Sequence, residues 1–191
     1  MDAQAINDDM FIKEKLDGKI YLMARPPEEH TDVQYNIANI FNDYFRKNKK
    51  KCIARIEAQL DIDNDNYVVP DVMAFCYETN KNIPMVVVEI LSKWTRNADL
   101  GVKMKKYAAI GIKEYWIVDW MYCIIDIYVL NDDKKYIKYE SYTHYRNEDF
   151  SKISKIREEQ KADIEMTKGF HALSFPEMEI SLEDVFYFVD R

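Results

Sequence analysis

"VVPDVMAFCYETNKNIPMVVVEILSKW", residues 68–94, holds two apolar runs, and each contains one carboxylate: Asp71 in the first, Glu89 in the second. A carboxylate buried in a strand-like run is costly unless it is paired or bound to a cation. The second run, "MVVVEIL" (85–91), is apolar on both faces and reads as a central strand, with Glu89 near its C-terminal end. If the two strands are neighbours, both carboxylates reach one side of the sheet. Two carboxylates held together repel and raise each other's pKa unless a cation sits between them. Oxygen donors of this kind suit Mg²⁺ or Mn²⁺. The commoner use of such residues is to cap a strand end or to pair with lysine. Three features favour the metal: Pro70 directly before Asp71, the unbroken apolar run before Glu89, and the lysine-bearing helical stretch that follows.

Outward from this stretch, "GKIYLMARP" (18–26) alternates as a strand, and "PPEEH" breaks it. From His30 to Asn48 the period becomes helical: Val33, Ile37, Ile40, Phe41, Tyr44 and Phe45 share a face, with Thr31 as the expected N-cap. "CIARIEAQLDID" (52–63) and "YVVPDVMAFCY" (67–77) read as strands, and Pro70 marks an edge or bulge in the latter. After 85–91 comes an imperfect helix ending at Gly111, then strands at 114–119, 123–130 and 134–145, the last two as a hairpin. Residues 52–119 are thus expected to form three strands, a helix and a fourth strand, with 85–91 internal. Residues 146–166 are charged and weakly patterned, and Ser181 with Asp184 forms a weak capping box for a short final helix. The layout is α/β, a mixed central sheet flanked by helices, in one domain spanning 1–191.

Composition narrows the setting. The chain has 191 residues, 48% hydrophobic and 32% charged, enough for one sizeable core. No stretch reaches the roughly 18 apolar residues of a membrane helix. The acidic, polar start is unlike a signal peptide, so a cytoplasmic protein is expected. Cys52, Cys76 and Cys123 lie far apart with no CxxC and read as reduced core residues. The scattered His30, His144 and His171 argue against a zinc site. A net charge of −7 argues against a general nucleic-acid coat but leaves room for local basic runs such as "RKNKKK" (46–51) and "KMKK" (103–106). The 14% of aromatic residues fall mainly in runs where core packing explains them.

"PDV", "VVVEILS" and "DLGVKMKKYAAIGIKEYWIVD", together with "DGKIYLM", the His30 that opens a helix and "FPEMEISLEDVF", resemble the Uma family of restriction-endonuclease-like proteins, within the PD-(D/E)XK nuclease superfamily. Where that family often carries proline, this chain has Lys93 and Trp120, both at loop starts. The resemblance implies a restriction-endonuclease-like core and Mg²⁺- or Mn²⁺-dependent hydrolysis of DNA phosphodiester bonds. It implies Asp71 and Glu89 as metal ligands, the backbone carbonyl of Ile90 as a third, and a lysine that assists the attacking water. The usual lysine position, two residues after the acid, is Leu91 here. The resemblance moves the role to Lys103, four residues before Tyr107, with Lys93 as a rival and an Asp99–Lys103 ion pair as the alternative use of Lys103. Glu57 could complete a metal shell or be a solvated glutamate. His30 could contact phosphate or cap its helix. A homodimer is compatible with the reading. Two other functions stay open: a non-enzymatic binding or assembly protein on the nuclease fold, and a hydrolase of another phosphate ester.

Overall fold

In the computed structural model, residues 11–78, 82–92, 95–146, 149, 152, 155 and 167–189 are described. The "VVVEI" run forms strand β7, Val86–Ile90, buried at every position. It lies inside a six-stranded sheet of order β10-β9-β8-β7-β6-β3, as its two apolar faces require. Its neighbours are β6 (Val72–Cys76), antiparallel, and β8 (Glu114–Asp119), parallel. The edges are β3 (Cys52–Ile56) on one side and the β9–β10 hairpin (Ile124–Leu130, Tyr136–Thr143) on the other.

Alternation along the central strands builds two cores. Val86, Val88, Ile90, Val72, Ala74, Trp116 and Val118 pack against helix α1, Glu28–Lys47, through Val33, Ile37, Phe41 and Phe45. The same core includes a hairpin, β11 (Gly169–Ala172) with β12 (Phe175–Ser181), and the short helix α4, Leu182–Val185. On the opposite face Val87, Leu91, Met73, Phe75, Tyr115 and Ile117 meet Tyr107 and a second sheet. That sheet is four-stranded, β2-β1-β5-β4, made of Lys19–Met23, Ile12–Leu16, Asn66–Val68 and Leu60–Asp63.

Several expectations are corrected. Each of the two long strands expected at 52–63 and 67–77 is divided between the sheets. The chain leaves the central sheet after Ile56, runs out and back as β4–β5, and re-enters at Val72. From Cys52 onward, five strands, not three, therefore precede the second helical stretch. Glu57, at φ 46°, makes the first turn, and Pro70 interrupts the second strand. Strand β1 and the β11–β12 hairpin are additional to the elements expected from periodicity. Thr31 is not the N-cap of α1: Pro27 holds that position, and Thr31 donates its hydroxyl to the Pro27 carbonyl at 3.3 Å. Residues 146–166 lie almost wholly outside the described residues.

The cysteine reading is overturned. Cys52 and Cys76 are joined by a disulfide, because they are direct cross-strand partners in the β3–β6 register; Cys123 is free and buried. Disulfides are rare in reducing compartments, so the cysteines lend no support to a cytosolic location. Among the described residues no helix is long and apolar enough to cross a membrane.

The bridge closes a loop between positions 24 apart in sequence. Reducing it should lower unfolding stability by up to about 3.5 kcal/mol, as a shifted urea midpoint. An unchanged midpoint in reductant would mean that the two thiols are not joined in the folded protein.

Candidate active site

The β6–β7 register pairs Val72 with Val88, so its antiparallel continuation sets Asp71 opposite Glu89. Directly opposed side chains have Cβ atoms about 4.5–5.5 Å apart. Asp71 Oδ2 accepts the Ile90 amide proton at 2.6 Å, which fixes the Asp71 carboxylate against the end of β7. His30, in the first turn of α1, donates from Nε2 to the Ile90 carbonyl at 2.9 Å, and the same nitrogen lies 3.5 Å from Asp71 Oδ2. Its Nδ1 is buried without a partner among the described residues. One turn further along α1, Gln34 donates to the Asp71 carbonyl at 3.0 Å and to Glu57 Oε1 at 3.4 Å. Glu57 is exposed, its φ of 46° costs a non-glycine residue conformational energy, and its amide donates to the Asp71 carbonyl at 3.3 Å.

The lysine arrives from the other face of the sheet. After β7 the chain forms α2 (Arg96–Ala98), a π-helical turn (Asp99–Lys103) and α3 (Met104–Ile110), which ends at Gly111 in the left-handed region. Such wide turns are frequent at functional sites. Here the turn places Asp99 and Lys103 together inside the protein. Lys103 Nζ lies 2.9 Å from Glu14 Oε1, 3.2 Å from Asp99 Oδ1 and 3.3 Å from Glu89 Oε1, and none of the four side chains is more than 3% exposed. Tyr107 donates its hydroxyl to Glu89 Oε1 at 2.5 Å. Glu14 Oε1 also accepts from the Val69 amide at 2.9 Å, and the Tyr115 hydroxyl donates to the Asp99 carbonyl at 3.0 Å.

Asp71, Glu89, Ile90, His30, Glu57 and Lys103 are therefore gathered around one end of β7; Lys93 lies outside the described residues. The Asp99–Lys103 pair, posed as an alternative to a site role, coexists with the Glu89 contact. Glu14 and the buried hydroxyl of Tyr107 were missed. Tyr107 stands four residues after Lys103, a helical neighbour spacing that could have suggested it. Glu14 carries no local signal, because only the pairing of β1 with β5 brings it here.

Residues 3–162 match the family model of Uma2, described as "Putative restriction endonuclease". The chain belongs to the Uma2 family. It is 29% identical over 128 residues to an uncharacterized protein of Synechocystis sp., across 63% of this chain and 67% of that one. Its fold is similar to the crystal structure of "a putative nuclease belonging to DUF820" from Anabaena variabilis, with a TM-score of 0.64 over 93% of this chain and 90% of the other. At 16% identity that likeness is one of fold, and it places this Uma2 chain among restriction-endonuclease-like architectures.

The electrostatics of this Uma2 site are set by burial. Burial pushes Glu89 well above the ordinary carboxylate value; Lys103 opposes that rise, and Asp99, Asp71 and Glu14 add to it. Asp99 is raised for the same first reason, against the pull of Lys103. For Lys103 burial acts downward, but Glu89, Asp99 and Glu14 outweigh it and hold the ammonium charged well above its ordinary range. For His30 burial is likewise outweighed, by the hydrogen bond and charge of Asp71, the Ile90 carbonyl and Glu57.

Neither Asp71 Oδ1 nor Glu89 Oε2 has a hydrogen bond from the described residues, while the other oxygen of each is engaged. With the Ile90 carbonyl these are oxygen donors that could hold a hard cation. No cluster of three or more His, Cys, Asp or Glu side chains suited to a metal occurs among the described residues. Any cation here would therefore keep several waters, as Mg²⁺ does in such sites.

A pH dependence follows. Folded Glu89 and Asp99 bind protons more tightly than at their ordinary values of 4.5 and 3.8. The folded protein then carries more protons than the unfolded chain, so these groups cost nothing below the unfolded values and lower stability as pH rises above them. Asp99→Asn removes one of these charges and leaves Lys103 two carboxylates. Its effect on urea unfolding should be more favourable at about pH 8 than at about pH 5. The same change in free energy at both would contradict the account.

Proposed function

We propose that this chain is a divalent-metal-dependent nuclease that hydrolyses phosphodiester bonds of DNA. The observation that supports it best is the placement of Asp71 opposite Glu89 at the end of a central strand, with a protonated lysine on the far oxygen of Glu89.

Asp71, Glu89 and the Ile90 carbonyl would hold Mg²⁺ or Mn²⁺, which when bound polarises a phosphoryl oxygen and lowers the pKa of a bound water. The chain's own groups prepare that site. The Ile90 amide and Tyr107 hydroxyl each fix one oxygen of a carboxylate, leaving the second free to face the cation. Lys103 is held charged by three acids, so it acts as a fixed positive charge and an orienter of Glu89, not as a base that takes the water's proton. His30 guards the Ile90 carbonyl; that oxygen has a second lone pair and can accept from His30 while facing a cation.

One feature favours a second reading, a non-enzymatic relative on the nuclease fold: the Lys103 side chain is 2% exposed, shut behind Glu14 and Asp99. Cleavage assays separate the two. Purified wild type should cut linear or plasmid DNA with Mg²⁺ or Mn²⁺, and Lys103→Met should fold normally and cut on the order of a hundredfold more slowly, as for loss of one preorganised donor. Equal rates would remove Lys103 from catalysis, and no cleavage by wild type would favour the non-enzymatic reading.

Metal binding gives a readout apart from activity. Mn²⁺ should raise the melting temperature by selective binding to the folded state. Asp71→Asn should leave the metal-free protein as stable or more so and abolish the rise. A full shift in the variant would put the metal elsewhere.

A further inference from the structure

Strands β7 and β8 run parallel, with Ile90 beside Val118 and the Leu91 amide donating to the Val118 carbonyl at 2.7 Å. Their C-terminal ends lie side by side. Neighbouring strands are about 4.8 Å apart, so the turn that follows Asp119 begins within roughly 10 Å of the Ile90 carbonyl. That turn, Trp120 to Cys123, is built to hold its two middle residues outward. Trp120 packs against the core and Cys123 is buried, while Met121 is 48% and Tyr122 71% exposed.

The turn is fixed at both ends. The Tyr122 amide donates to Asp119 Oδ1 at 3.2 Å, and the Cys123 thiol donates to the Trp120 carbonyl at 3.6 Å. Arg146 donates to the Met121 carbonyl at 3.3 Å, and the His144 amide to the Cys123 carbonyl at 2.9 Å. On the active-site side, Arg96 of α2, 54% exposed, pairs with Asp119 Oδ2 at 3.2 Å. The turn is thereby tied to the helical stretch that carries Lys103. An exposed aromatic on its own needs no explanation. A braced turn that shows a tyrosine and a methionine on the same sheet end as Asp71, Glu89 and His30 has the parts of a nucleobase platform: an aromatic face for stacking beside a flexible, polarisable thioether.

The basic run at 46–51 does not compete for this role. It sits where α1 ends and β3 begins, at the end of the sheet opposite Asp71 and Glu89. Arg46 pairs with Asp43, Lys51 pairs with Glu78, and Lys50 lies over Tyr44. In the other run, Lys103 is internal and Lys106 pairs with Asp17.

We infer that Tyr122 and Met121 on the β8–β9 turn contact an unstacked nucleobase next to the phosphate held at Asp71 and Glu89, so that the protein binds single strands or locally opened duplex more tightly than intact duplex. The inference rests on the nuclease reading and adds the substrate form and the residues that select it. The test is binding of a short single-stranded DNA carrying 2-aminopurine, with Ca²⁺ in place of Mg²⁺, read by anisotropy and by quenching of the base. Tyr122→Ala should weaken binding about tenfold to a hundredfold and abolish quenching. Tyr122→Phe should keep both, and the melting temperatures of the variants should match wild type. Wild-type affinity and quenching in Tyr122→Ala would overturn the inference and leave the nuclease reading standing. So would equal loss in Tyr122→Phe, which would assign the effect to the hydroxyl. Failure of wild type to bind any single-stranded or duplex DNA would reject the nuclease reading and this inference with it.

Discussion

The Lys103 ammonium is the point on which the two faces of the molecule converge. Its three carboxylate partners come from the distant β1, from β7 and from the π-helical turn that carries the lysine itself. Burying an ammonium costs several kcal/mol unless its partners are well placed, so the charge is tolerable only when all three segments are in position. The lysine thereby couples the four-stranded sheet and the helical stretch to the end of the central strand where Asp71 and Glu89 face each other.

The arrangement is over-supplied with acid. Glu14, Glu89 and Asp99 surround one lysine, and a fourth acid, Asp71, stands opposite Glu89 with His30 Nε2 3.5 Å from its Oδ2. The protein shows elsewhere how it buries a carboxylate for structure alone. Glu114 is 1% exposed and accepts hydrogen bonds from the Trp116 indole and from the amides of Leu173 and Ser174, which pins the β11–β12 turn to β8. Glu89 and Asp99 have no such set of backbone donors, and both are pushed toward the protonated form. Extra protons or a hard cation relieve such a cluster, and a site that trades one for the other binds metal in a pH-dependent way.

Much of this was legible locally. The unbroken run at 85–91 announced a strand covered on both faces, and its one acid stood out for the same reason. The strand at 114–119, the hairpin after it and the Ser181 cap followed from period and turn chemistry, and the Ser181 side chain does accept from the Asp184 amide. What escaped was non-local. Residues 52–77 alternate convincingly as two long strands, and only the positive φ at Glu57 and the break at Pro70 divert the chain into a second sheet. Glu14 reaches Lys103 through strand pairing, and Cys52 meets Cys76 through register; neither leaves a mark in spacing. Asp99 was visible as an ion-pair partner of Lys103, but the π turn that buries both was not.

In the proposed nuclease, Asp71, Glu89 and the Ile90 carbonyl would form one hard-cation site whose charge is balanced by Lys103. Anomalous diffraction from crystals soaked in Mn²⁺ tests it directly. A single strong peak is expected within bonding distance of Asp71 Oδ1, Glu89 Oε2 and the Ile90 carbonyl, with water filling the remaining positions and Lys103 still on the far oxygen of Glu89. A peak held by other residues, or no peak at this end of β7, would contradict it.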